Sequence, residues 1–205
     1  MAFGGFNGQS NSGGGGGGFK QPKPGLQVAR IYRIIDLGTQ DDTYEGKPKR
    51  NRKMMVFWEL GEKMEDGRPF SINKEYTVSL GEKSTLRKHM ESWTSKTMTK
   101  EIVDTFDPAR MMLGKACQVN LVLKGEKVRV DGILPLGAGQ PKPEPVNPKT
   151  ILDLEAFDRA VFEALPDWIK NKIMASPEYK KLSEAGAGAE DGGTPAGLDA
   201  DDIPF

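Results

Sequence analysis

The chain has 205 residues, 37% of them apolar and 28% charged, enough for one modest core and a prior of one to two domains. Its formal charge is zero, yet residues 1–140 hold 22 basic and 16 acidic side chains (+6) while residues 141–205 hold 7 and 13 (−6). A single cysteine excludes an internal disulfide, its pairing with a single histidine argues against a Cys/His zinc site, and no apolar run reaches the roughly 18 residues of a membrane helix. With no basic-then-apolar leader, a cytoplasmic protein is expected.

Residues 1–24 read as a disordered arm. Gly13–Gly18 is an unbroken glycine run, and Phe3, Phe6 and Phe19 return too little on burial to order it. Leu26–Leu37 is rich in β-branched and aromatic residues and predicts a long strand. Its apolar residues fall on both parities, which a bulge or burial on both faces would explain. Thr39–Lys53 reads as a polar loop, Met54–Leu60 as a second strand and Asp66-Gly67 as a hairpin turn. Pro69–Leu80 is a third strand. Ser84 then caps a helix with Leu86, Met90 and Trp93 on one face, and a short helix follows near Lys100–Phe106. Strands resume at Leu113–Leu123 and Lys127–Leu136 around Gly125-Glu126.

Three strands, a helical insert and two strands is the order of a five-stranded OB-fold barrel spanning residues 25–140. Another small barrel or an open α+β sheet is the alternative. Residues 141–149 form a Pro-rich linker. Residues 150–182 predict a helical segment opened at Thr150 with Asp153 at N3. Leu154, Phe157, Val161 and Leu165 form its stripe, Pro166 breaks it, and Ser176-Pro177 starts a last turn. The segment packs on the barrel, on another subunit or on a partner. Residues 183–205 are acidic and Gly/Ala-rich, and disorder is expected there.

Three groups of residues point to nucleic acid. Lys47, Lys49, Arg50, Arg52 and Lys53 place five bases within seven residues, beside the expected binding groove of such a barrel. Tyr32, Tyr44, Phe57, Trp58, Phe70 and Tyr76 lie on or beside the first three strands, where rings can stack on bases for roughly 1–3 kcal/mol each. Arg30, Arg33 and Lys74 share those strands and can meet phosphates. Five phosphate contacts would give a salt slope near −3.5, at about −0.7 per contact.

The last group is Asp199, Asp201, Asp202, Ile203, Pro204 and Phe205. Its carboxylates steer toward basic surfaces, and Phe205 offers a ring and a terminal carboxylate. This ending resembles the acidic tip of bacterial single-stranded DNA-binding proteins, and the layout of OB domain, linker and tip is similar too. The glycine-rich arm, the long basic segment and residues 150–182 depart from the bacterial pattern. The chain looks most like a bacteriophage-encoded member. The resemblance implies protection of single-stranded DNA in replication, recombination and repair, with partner proteins recruited through the tip.

Catalysis has little support. Gly81-Glu82-Lys83-Ser84-Thr85 lacks the order of a phosphate loop. His89 is expected on a polar helix face, Cys117 buried in a strand, and Asp41-Asp42 and Asp104/Asp107 lack a third carboxylate at metal spacing. No cofactor or metal is expected, and neither an enzyme nor a membrane protein. A decoy that uses only the tip and a strand-annealing protein are the alternatives.

Overall fold

The computed structural model describes residues 20–187 apart from Glu45. The arm through Phe19 and the acidic tip lie outside them. Strand β1 (Gly25–Tyr44) pairs antiparallel with β2 (Lys47–Lys63) and with β4 (Ala116–Lys124). β3 (Pro69–Thr77) flanks β2, and β5 (Lys127–Leu134) flanks β4, giving the order β3-β2-β1-β4-β5. No strand pairing joins β3 to β5 among the described residues, so the sheet is open. Its two ends approach each other, with Lys74 Nζ donating to Val130 O at 2.8 Å.

The mixed parity of β1 follows from two cores. Ala29, Ile31 and Ile34 enter the first, while Tyr32, Ile35 and Leu37 enter the second. The pairing with β2 shifts register between Ile31 and Arg33, and a shift of one residue exchanges the faces. β2 divides the same way. Met54, Val56, Trp58 and Leu60 point to the first core, Met55 and Phe57 to the second.

The helical insert lies between β3 and β4. Ser84 Oγ accepts from Arg87 N at 3.2 Å and caps α1 (Thr85–Thr94), which sends Leu86, Met90 and Trp93 into the first core. α2 (Lys100–Asp104) and α3 (Pro108–Met111) follow.

Residues 150–187 differ from the expectation. Thr150 does not open a helix. Thr150–Leu152 is β6, parallel to β1 beside Arg33–Ile35, where its β-branched and apolar residues extend the sheet. Asp153 Oδ1 accepts from Glu155 N at 2.9 Å in a local turn. The helix waits for Asp158, whose Oδ1 accepts from Ala160 N and Val161 N at 2.9 and 3.1 Å to cap α4 (Arg159–Glu163). α5 (Asp167–Ala175) follows Pro166. α6 (Pro177–Ala187) begins at the expected Ser176-Pro177 cap but carries helix through 183–187, where disorder was expected.

This segment packs on the sheet. Leu152, Leu154, Phe162, Leu165, Ile169 and Ile173 form the second core with the outward residues of β1 and β2. The end of the Pro-rich stretch is also docked. Buried Glu59 accepts from Asn147 N at 2.8 Å and Asn147 Nδ2 at 2.7 Å, and pairs with Arg30 Nε at 2.5 Å.

Gly38 fixes α6 against β1. It sits at φ +68°, and a Cβ there would lie 2.5 Å from Ser176 Cβ. Gly38→Ala is therefore expected to lower stability by about 2 kcal/mol, from left-handed strain and overpacking. A urea unfolding series checks this; an unchanged midpoint would mean that α6 does not hold that position.

Candidate nucleic-acid interface

The basic stretch is not a loop. Lys47–Lys53 is the first part of β2, paired with Gly38–Tyr44 of β1 in a two-stranded ribbon with Gly46 in its turn. Polar residues on both sides of a ribbon leave no apolar period, which is why the sequence reads as a loop. Lys47, Lys49 and Arg50 are exposed, whereas Arg52 and Lys53 are partly covered.

Arg50, Arg52 and Lys53 of the ribbon have carboxylate partners in the fold. Arg50 pairs with Asp41 at 3.1 Å, and Lys53 with Asp42 at 2.7 Å and Glu75 at 3.3 Å. Arg52 reaches Asp36 at 2.6 Å and Glu155 at 2.7 Å. The hydrogen bond to Asp36, with help from Glu155, raises the Arg52 pKa against its burial. Burial opposes the charge of Lys53, but Asp42 and Glu75 outweigh it and raise its pKa. Part of the dense charge is thus neutralised within the fold. The same pairs account for Asp41 and Asp42, while Asp107 caps α3. Among the described residues no group of three His, Cys, Asp or Glu side chains is placed to share a metal ion.

The strand aromatics are corrected as stacking platforms. Tyr32, Phe57, Trp58, Phe70 and Tyr76 are 0–8% exposed. Trp58, Phe70 and Tyr76 lie in the first core; Tyr32 and Phe57 lie beneath residues 150–182 in the second. Exposing the second core to bare those two rings would cost roughly 1.5–3 kcal/mol for each large apolar side chain released. A stacked base returns about 1–3 kcal/mol. With several such side chains in the cover, burial wins. Tyr44 pairs with Lys47 next to the turn of the ribbon.

Arg30 and Arg33 are corrected as well. Arg30 is buried against Glu59 and donates through Nη2 to Asn147 O at 2.6 Å. Arg33 is buried with its guanidinium 5.4 Å from the Tyr32 ring and 5.6 Å from Phe57, and burial lowers its pKa. Neither side chain lies open to a phosphate. His89 is also not on the surface. Its Nδ1 and Tyr76 Oη are hydrogen-bonded at 2.8 Å between α1 and β3, and burial, then Lys74, lowers its pKa. Cys117 is buried as expected, and burial pushes its thiol up to about 12.

Lys74 is the predicted strand cation that meets other open cations. It is half-buried where β3 approaches β5. Burial lowers its pKa, and the nearby charge of Lys124 adds to that. Lys124, Lys127 and Arg129 are exposed on the β4–β5 hairpin, with Arg129 also close enough to influence Lys74. The pairing of Lys124 with Lys127 puts both on one face, and alternation puts Arg129 there too. Among the described residues Lys124 pairs with exposed Asp131, at 3.1 Å. Sequence reasoning missed these three. Their signal was present in the outward parity of a hairpin whose turn at Gly125-Glu126 was recognised.

Comparison of the chain with family models, with curated proteins and with solved structures gives no match. Among the described residues no helix is long and apolar enough to cross a membrane.

Proposed function

We propose that the chain binds single-stranded DNA with little sequence preference and recruits replication, recombination and repair proteins through its acidic tip, without catalysis, in the cytoplasm of a cell. One observation carries the reading: Lys74, Lys124, Lys127 and Arg129 gather where β3 meets the β4–β5 hairpin. The strand order and the insert between β3 and β4 support an OB-type barrel whose last seam is made by side chains rather than by a strand ladder. In such a barrel the β4–β5 turn borders the nucleic-acid groove. Backbone charge then dominates, and base stacking on the strand rings contributes little.

The test is fluorescence anisotropy of a labelled dT strand, with duplex DNA as control, over a salt series. Four phosphate contacts predict a slope near −3, from about −0.7 each. Absence of binding, both by the full chain and by Asp201→Asn/Asp202→Asn, would overturn the reading. A second reading, a tip-bearing interaction protein with no DNA role, is favoured by the burial of the rings and the internal pairing of the ribbon. It predicts that silence, with partner capture retained by the intact tip.

A further inference from the structure

The β1–β2 ribbon projects from the sheet. β6 leaves β1 after Ile35, and β3 pairs with β2 only from Lys53 onward. Among the described strands, residues 39–44 and 47–52 therefore pair only with each other, over about 20 Å at roughly 3.3 Å per residue.

The base of the ribbon is fixed. Glu178 accepts from Thr39 N at 2.8 Å and from Thr39 Oγ1 at 2.5 Å. Gln40 Nε2 donates to Lys172 O at 2.9 Å. The outer four residue pairs, from Asp41 with Arg50 to Tyr44 with Lys47, extend about 13 Å beyond that clamp.

We infer that this ribbon enters the major groove of duplex DNA, so that the chain engages the junction between a duplex and a single strand. The inference rests on the single-strand reading above for the other half of the junction. Two features select a duplex. First, the ribbon is two strands wide, and a two-stranded β-ribbon fits the major groove, which is about 12 Å wide and 8.5 Å deep. Second, its cations lie on both faces. Alternation along β2 puts Lys47 and Lys49 on one face and Arg50 on the other. A groove has a phosphate wall on each side, and a lone strand has only one. The Arg50–Asp41 pair is exposed on both sides and worth only about 0–1 kcal/mol, so phosphate can displace the carboxylate.

The experiment compares three labelled probes at one salt concentration: a dT strand, a blunt duplex, and that duplex with a dT overhang. The full chain is expected to bind the overhang duplex at least about tenfold more tightly than the dT strand, since each added duplex phosphate contact contributes a salt slope of about −0.9. Lys47→Ala with Lys49→Ala should remove that gain and leave dT binding within about twofold. Both residues are exposed, and an unchanged urea midpoint confirms the fold. Equal affinity for the dT strand and the overhang duplex overturns this inference but leaves the single-strand reading standing. So does equal weakening of both probes by the double substitution. Binding to both duplex probes without binding to dT supports the ribbon and sinks the single-strand reading. Failure to bind any probe overturns both.

Discussion

Glu59→Ala is expected to cost about 3–5 kcal/mol of folding stability, the usual effect of removing one partner from a buried ion pair. Glu59 is 1% exposed and Arg30 7%. The carboxylate accepts Arg30 Nε, Asn147 N, Asn147 Nδ2 and Val146 N. The substitution leaves the Arg30 charge buried without its carboxylate partner, and it frees the docked end of the Pro-rich stretch. Replacing both residues with apolar ones of similar size (Arg30→Met with Glu59→Leu) should cost less than the single change, because no charge is then stranded. Urea unfolding of the three chains gives the comparison. A loss below about 1 kcal/mol for Glu59→Ala would mean that the pair is open to water. Arg30→Ala alone, followed by both urea unfolding and dT affinity, separates the two roles of this buried residue: as a structural cation its loss lowers the midpoint, whereas a DNA contact would lower affinity at constant midpoint.

What the sequence made legible follows from periodicity. Strands that bury one face, such as Ala116–Lys124 with Cys117, Val119 and Leu121 inward, alternate plainly and were read close to their true ends. The Ser84 and Ser176-Pro177 caps rest on local chemistry and were equally readable. The ribbon was not, because residues exposed on both faces carry no apolar alternation. Met54–Leu60 shows the opposite case. It was recognised as a strand, but an unbroken apolar run does not say what covers each face. The second core depends on residues 150–182 returning to β1 and β2, a pairing across more than a hundred positions. That return, not any property of Tyr32 or Phe57, turns rings that look like stacking platforms into core residues. His89 was misplaced for the same reason: its partner Tyr76 lies on another element.

Replacing Lys124, Lys127 and Arg129 together with alanine is expected to weaken binding to a dT strand about a hundredfold near 0.1 M salt. Three lost phosphate contacts remove about 2 from the salt slope, and that slope acts over one decade of salt below 1 M. Stability should hold, since the three side chains are exposed and the Lys124–Asp131 pair is a surface contact. Trp58→Phe is the converse control. Trp58 has 0% exposure and packs edge-on against Tyr76, at 6.5 Å between ring centroids. Its replacement should lower the urea midpoint while leaving the salt slope unchanged. A binding site built on stacking predicts the reverse, with affinity falling for Trp58→Phe and persisting in the triple variant. The two variants therefore decide whether phosphate charge at the β4–β5 hairpin, or an aromatic face that the fold would first have to uncover, holds the strand. Because residues 150–182 are built into the second core, uncovering Tyr32 and Phe57 would also require partial unfolding, and such binding would grow stronger as urea loosens the chain. Binding through the β4–β5 cations would weaken instead as the fold is lost.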